Sequence, residues 1–287
     1  MTTGTRSAPI KRLDGLSALF SSLFAMSRKE FIIMRRYPVE FIASFGQVFA
    51  IVAIFTLAAL MFSDSSGEFA AGSGGGVVIY GFVLFLYLSD TLWTIGYNIR
   101  REQKQGTLEA LYLSPASKFA SLVSRVTNTL IWTSLLVVAG IWLMSTMLGQ
   151  LPFANPALGG FILIFALAGT FGFGFALAAV TLRIKEAGQT LANGLTFVLM
   201  ILCAFFFPFG ALPNTLLAIA KLIPLSYAVD AFRSTLMGYP PGFPELAPIE
   251  IEIVIVVLFG LLMPIIGYLW YRHSETHVRK NGSLSEY

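Results

Sequence analysis

Apolar residues in this chain gather into long runs separated by short polar stretches. Crossing a hydrocarbon core of about 30 Å takes about 20 apolar residues at 1.5 Å per residue. Six runs meet that length: 41–62, 77–99, 126–148, 160–182, 191–209 and 253–271. Five of them hold no Asp, Glu, Lys or Arg, and the second holds Asp90. The pattern predicts an all-α polytopic membrane protein, with six transmembrane helices forming one domain over 41–271.

The intervening segments have patterns of their own. Within 1–40, Leu16, Leu19, Phe20, Leu23, Phe24, Phe31 and Met34 fall on one stripe at helical spacing, with Ser17, Ser21, Arg28, Lys29, Arg35 and Arg36 opposite. This predicts an amphipathic interfacial helix in the headgroup layer, ended by Pro38; a solvated connector is the alternative. The first apolar run begins too late and is too long for a cleavable signal peptide, so none is expected. In 210–252, Leu216 to Ile223 and Leu225 to Met237 are apolar, each too short to cross alone, and Pro224 separates them. They predict a broken helical segment, re-entrant or interfacial, before the last span. The fourth run carries small residues every four positions, Ala168, Gly172 and Ala176, with Thr170, Gly174 and Ala178 on a second face. Such ladders let helix backbones approach closely in lipid.

Composition changes the picture by exclusion. Of 287 residues 56% are hydrophobic and 12% charged, against about 25% charged in soluble domains. With 26 Phe, 26 Gly and a mean hydropathy of +0.77, neither an ordinary soluble enzyme nor a disordered chain fits. The net charge of +4 gives nucleic-acid binding no support. The placement of the cations says more. Of 19 Lys and Arg, only Lys221 and Arg233 fall in the segments 63–76, 149–159 and 210–252. The others lie in 1–40, in 100–125, just after the fourth run and in the tail 272–287. Retention of cations on the cytoplasmic side predicts a multi-pass protein with both termini cytoplasmic and 210–252 extracytoplasmic.

Several chemistries find no residues. No Lys follows a Gly, so no P-loop is present. His273 and His277 lack fixed Cys or carboxylate ligands beside them and read as part of a basic tail, so no metal site is expected. Asn281-Gly282-Ser283 is a sequon on a tail expected to be cytoplasmic. Cys203, the single cysteine, lies in an apolar run and is expected to pack. No catalytic residues are expected.

Candidate functional residues fall in three places. In 100–125, Gly106 permits a sharp turn, and Thr107 to Leu113 can form about two helical turns before Ser114-Pro115 ends them. Leu108, Leu111 and Tyr112 share a face. The helix is either a knob for a soluble partner's groove or a segment lying on the bilayer. Asp90 is the one ionisable residue inside a span. Intramembrane carboxylates mark pathways or wet cavities; the alternative is a packing hydrogen bond to a neighbour such as Asn193 or Thr196. Asp230 and Arg233, at i, i+3, suit a salt bridge holding the short helix after Pro224, or a role in closing the outer end. Glu250 and Glu252 mark the rim of the last span and suggest no special function.

Two stretches carry a resemblance. Glu102-x-x-x-Gly106-Thr107-Leu108-Glu109-x-Leu111-x-x-Ser114-Pro115 resembles the signature loop of type-2 ATP-binding-cassette (ABC) permeases, membrane subunits of many bacterial exporters. Phe206-Phe207-Pro208, Leu212-Pro213 and Ile223-Pro224-Leu225-Ser226-Tyr227-Ala228-Val229-Asp230-Ala231-Phe232-Arg233 resemble the family's segment between the fifth and sixth spans. The likeness covers nearly the whole chain. One departure is Cys203-Ala204-Phe205, where members often show Ser-Gly before Phe-Phe-Pro; small residues there suit helix packing or a bend.

The resemblance implies a permease subunit in a bacterial cytoplasmic membrane, paired with a second copy or a paralogue and surrounded by lipid. ATP and Mg would bind a separate ABC ATP-binding subunit, with no cofactor on this chain. Gly106 to Pro115 would be the cytoplasmic coupling helix that docks into that subunit. The cargo would be amphipathic or lipidic: a drug, lipid, glycolipid or peptide. An ATP-independent channel or ion-coupled transporter is a competing reading, though such machines usually show several intramembrane charges. A membrane scaffold recruiting a soluble partner through 100–125 is another.

Overall fold

The computed structural model describes residues 73–104, 129–142, 152–184 and 188–280, with isolated helical positions between 24 and 50 and at 146. Most of the predicted interfacial helix, most of the first span and the segment 105–128 lie outside the described residues. What is described is helical, with turns and one short 3-10 helix. In chain order the helices are α1 (Ser73–Lys104), α2 (Thr129–Trp142), α3 (Pro156–Ile184), α4 (Gly188–Leu202), α5 (Asn214–Ala220), α6 (Pro224–Met237) and α7 (Ile249–Lys280). The 3-10 helix, Phe209–Ala211, precedes α5.

Among the described residues, three stretches are long and apolar enough to cross a membrane: Gly76–Thr94, Pro156–Thr181 and Ile249–His277. They overlay the second, fourth and sixth apolar runs. α4 differs from the expected span, because its helix stops at Leu202 while the apolar run continues to 209. The pair α5 and α6 is bent by 95° at its break, the geometry of a broken or re-entrant segment. Pro224 in the first turn of α6 starts the new helix with a φ already suited to it.

The most extensive pairing among the described elements is α3 with α7. Glycines make it close. A Cβ on Gly169 would lie 2.1 Å from the Phe259 ring, and one on Gly172 would lie 2.2 Å from the Met263 backbone. From α7, a Cβ on Gly260 would meet the Phe165 carbonyl and one on Gly267 the Gly172 carbonyl. Gly172 belongs to the small-residue ladder read in the sequence. Partner numbers rise together on both helices, so α3 and α7 run parallel, and the chain must return between them. α4 provides that return.

α1 and α2 pair the other way. Residues 87, 90 and 94 of α1 meet 134, 133 and 129 of α2 through side-chain hydrogen bonds, an antiparallel seam. The start of α1 lies against the end of α4, where a Cβ on Gly81 would sit 1.8 Å from the Phe205 carbonyl oxygen.

α6 organises one end of the bundle. Twelve of its residues are buried, and it touches α1, α3 and α7. Its last turn closes over the starts of α1 and α3: Met237 faces Gly76, and Leu236 faces Gly159. The Leu236 carbonyl accepts from the Ala154 amide at 3.0 Å. The Tyr80 hydroxyl donates to the Pro152 carbonyl, and its ring meets Phe153 and Phe232 edge-on. α1, α3 and α7 therefore all leave this end. Their Lys and Arg lie at the opposite ends, in the closing turns that hold Arg100, Arg101, Arg183 and Arg272.

The α3–α7 contact makes a direct prediction. Gly172→Val places three carbons where the Met263–Pro264 backbone stands, so stability in detergent should fall by about 1–3 kcal/mol, the usual cost of overpacking. A thermal melt unchanged from the parent protein would contradict that packing.

Candidate functional site

The polar chemistry of the described residues is concentrated where α4 ends, α6 sits and α7 begins. It starts with a backbone event. At Ala204 the chain takes φ +47°, the left-handed region. The Ala204 amide bonds the Ile201 carbonyl at 3.1 Å, and the Phe205 amide reaches back to the Met200 carbonyl at 3.3 Å. These two bonds form a Schellman cap, which normally places Gly at this position. The Cys203-Ala204-Phe205 departure is thus a helix stop, and it explains why α4 ends short of its apolar run.

Leaving the helix among apolar side chains frees carbonyls that need donors. Arg233 of α6 supplies them. Its Nη2 donates to the Ala204 carbonyl at 3.1 Å, its Nη1 to the Phe207 carbonyl at 3.0 Å and its Nε to the Val229 carbonyl at 3.3 Å. The guanidinium lies over the Phe209 ring, 5.2 Å from its centroid, a cation–π arrangement.

Asp230 makes a matching set of bonds to the loop between α6 and α7. Its Oδ2 accepts from the amides of Glu245 and Leu246 at 2.7 and 2.8 Å. Glu245 in turn accepts from the amides of Phe209 and Gly210 at 3.0 and 2.6 Å, tying the loop to the 3-10 helix. Glu252, in the first turn of α7, accepts from the Ala247 amide at 3.2 Å. Asp230, Arg233 and Glu252 are each 0% exposed.

Asp230 and Arg233, expected to pair in a salt bridge holding the helix after Pro224, are both buried. Both residues spend their hydrogen bonds on backbone groups, and Asp230 acts on Arg233 through charge. Glu252, in the first turn of α7, is likewise enclosed by the protein. Glu250 and Glu252 stand two apart on a helix that turns about 100° per residue, so they point in nearly opposite directions; Glu250 is exposed and Glu252 is enclosed. That spacing was the available signal. Glu245 had none, because only the fold brings it to the 3-10 helix.

Asp90 is half-buried on α1. Its Oδ2 accepts from the Thr133 hydroxyl of α2 at 2.5 Å. Beside it, the Tyr87 hydroxyl lies 2.7 Å from Ser134 Oγ, whose own proton goes to the Leu130 carbonyl, and Thr94 pairs with Thr129 at 3.2 Å. The partner of Asp90 is thus on α2; Thr196 donates instead to the Ala192 carbonyl of its own helix.

Of the loop residues singled out in the sequence, Glu102 lies in the closing turn of α1. Gly106, Thr107, Leu108, Glu109, Leu111, Ser114 and Pro115 lie outside the described residues. Cys203 is buried and unpaired by disulfide, and no cluster of three metal-ligating side chains occurs among the described residues.

Two substitutions test this geometry. Ala204→Gly removes the left-handed penalty, about 1–2 kcal/mol per residue, at the cost of added unfolded-state entropy, so a net gain of about 0.5–1 kcal/mol is expected in a thermal melt. A loss of stability would contradict the cap. Asp90→Asn keeps an acceptor for Thr133, and interhelical hydrogen bonds in lipid average about 0.6 kcal/mol. The variant should keep both its melting behaviour and its transport; lost transport in a stably folded variant would give the charge itself a function.

Comparison with known proteins agrees with the motifs quoted above. The family model described as ABC-2 type transporter matches residues 21–237, well over half of the chain. No curated protein matches. The chain belongs to the ABC-2 type transporter family and is a multi-pass membrane permease subunit.

Proposed function

We propose that this member of the ABC-2 family is the passive half of an ATP-driven exporter. It forms a substrate pathway with a second copy or a paralogue, in a bacterial cytoplasmic membrane, while a separate subunit binds ATP and Mg. The observation that carries the reading is the family match over 21–237, which takes in both the 100–125 loop and the α5–α6 segment. Cation placement supports the orientation. α1, α3 and α7 leave one end of the bundle and carry Lys and Arg at the other, which by retention of cations favours the α6 end outside and the 100–125 loop inside.

The proposed coupling runs through Gly106 to Pro115. A helix end docked in a partner that opens and closes can tilt the spans attached to it. Leu108, Glu109 and Leu111 would offer the apolar and acidic contact, with Glu102, in the closing turn of α1, preceding them in the sequence. An amphipathic or lipidic cargo fits a permease whose apolar runs are largely aliphatic and aromatic. The apolar faces of α4 and α7, including Phe197, Val198, Leu258 and Leu262, suit contact with lipid or with a second permease.

The test is reconstitution of the permease with its ATP-binding subunit in lipid vesicles. Replacing Leu108, Glu109 and Leu111 by Ala should lower transport-linked ATP hydrolysis by roughly tenfold or more, the scale of one lost interface anchor at about 1.4 kcal/mol. Full assembly and full coupling in that variant would remove the loop from the mechanism. Transport that continued without nucleotide would instead favour an ATP-independent transporter.

A further inference from the structure

We propose that the outward face of α7 holds an acidic glycerophospholipid, its phosphate at Arg272 and His273 and an acyl chain along Leu269, Ile265, Leu262 and Leu258. This commits the face to lipid instead of a second copy of the chain, and it adds a headgroup to what would otherwise be plain hydrocarbon contact.

α7 has two unlike sides. Gly260 and Gly267 lie against α3, Tyr271 meets the Phe175 ring at 6.2 Å between centroids, and Val256 and Ser274 are buried on the same side. A helix turns about 100° per residue, which carries Leu258, Leu262, Ile265 and Leu269 to the opposite side. Each of the four is 49–58% exposed. In a helix that crosses the membrane, acyl chains are as apolar as these side chains and cover them without penalty.

The way this face ends gives it a headgroup preference. α7 does not stop where its apolar residues stop but continues as helix to Lys280. Three, four and seven positions beyond Leu269, the same line reaches Arg272, His273 and Thr276, all exposed. The Thr276 hydroxyl donates to the Arg272 carbonyl at 2.8 Å. Because Tyr271 and Ser274 are buried between these positions, the bundle holds the extension, and Arg272 and His273 are presented in a fixed place.

Their chemistry selects an anion. A guanidinium matches two phosphate oxygens at once, and an imidazole keeps at least one N–H in either protonation state. Glu275 is the only carboxylate in 272–280; it is half-buried and turned about 100° from Thr276. Length agrees as well. From Leu258 to Arg272 the helix rises about 21 Å, one leaflet of a bilayer about 40–45 Å thick with its headgroups. A single lipid therefore reaches both the cation and the apolar line. On the orientation proposed above its leaflet is the cytoplasmic one, but the site depends neither on that orientation nor on export.

The test places the full-length chain in vesicles where brominated acyl chains, which quench tryptophan on contact, are carried by phosphatidylglycerol or by phosphatidylcholine. The reporter is Ile265→Trp in a chain with Trp93, Trp132, Trp142 and Trp270 replaced by Phe, so that one indole sits on the exposed line two turns from Arg272. Brominated phosphatidylglycerol should quench it with about fivefold higher apparent affinity, the scale of one cation at an anionic lipid surface. Arg272→Gln combined with His273→Gln should bring the two lipids to parity, while Arg101→Gln, in the closing turn of α1, should leave the preference in place. If the substituted chain folds poorly, native mass spectrometry of the chain with its own tryptophans makes the same comparison by counting retained lipid of each kind. Equal quenching by both lipids in the parent chain, or a preference that survives the double substitution, would overturn the site. An equal loss in the Arg101 variant would do the same, since it would mean diffuse attraction to all cations at this end. Quenching by neither lipid would mean a face covered by protein and would hand it to a second copy.

Discussion

A backbone that leaves its helix inside an apolar layer has no water to accept from or donate to, and this constraint shapes one whole end of the molecule. α4 ends at Leu202 among Phe, Met and Leu. Its cap satisfies some of the freed groups internally, but Ala204 and Phe207 still present carbonyls. Arg233 meets both. A guanidinium suits this better than an ammonium, because its planar fork serves several carbonyls at once and stacks on Phe209.

Burying that guanidinium creates the next requirement. An enclosed cation needs compensation, which Asp230 provides from one turn earlier on the same helix. Asp230 then needs donors of its own and takes them from the loop leading to α7. The same loop sends Glu245 back to the 3-10 helix just after the α4 turn. The circuit closes: α4's turn, α6, the loop and α7's first turn each satisfy polar groups exposed by another. Breaking such a network by removing one member leaves a buried group unpaired, which is why buried networks fail more severely than their pairwise bonds suggest. Gly81 on α1 completes the junction by letting the Phe205 carbonyl approach a helix backbone.

How much of this was legible in the sequence depended on what each feature requires. α1, α3 and α7 were legible because uninterrupted apolar length is itself the physical requirement for crossing. The Gly172 ladder was legible because small residues at a fixed spacing have one main use in lipid, although its partner on α7 was not. The end of α4 was hidden. Cys203 to Phe207 continue the apolar run, and an Ala in the left-handed region has no compositional mark, unlike the Gly238 that ends α6 at φ +76°. Asp230 and Arg233 stood out as scarce charges, but their spacing suggested each other as partners, whereas the fold gives them backbone groups distant in sequence. Side-chain-to-backbone bonds across a fold carry no pairwise signature. Asp90 was legible as an intramembrane acid, and its partner Thr133 was one of many hydroxyls on neighbouring spans.

The buried circuit also bears on how motion could cross the membrane. α1 is one continuous helix from Tyr80 and Gly81, which touch the circuit, to Glu102 at the edge of the proposed coupling loop. At 1.5 Å per residue that is about 33 Å, close to a full bilayer core. Its hydrogen-bonded seam with α2 runs along the middle, at Tyr87, Asp90 and Thr94. A tilt imposed at the Glu102 end must therefore either break the seam or carry α2 along, and it must move Gly81 against Phe205. Contact there is backbone to backbone, with no flexible side chain to absorb the displacement. The Schellman turn would shift, and with it the carbonyls held by Arg233. A rigid rod ending on a cooperative network is suited to switching between two arrangements, because packed polar circuits yield all together or hold. In an exporter of the proposed kind, the α6 end would thus respond to events at the loop without any separate transmitting element.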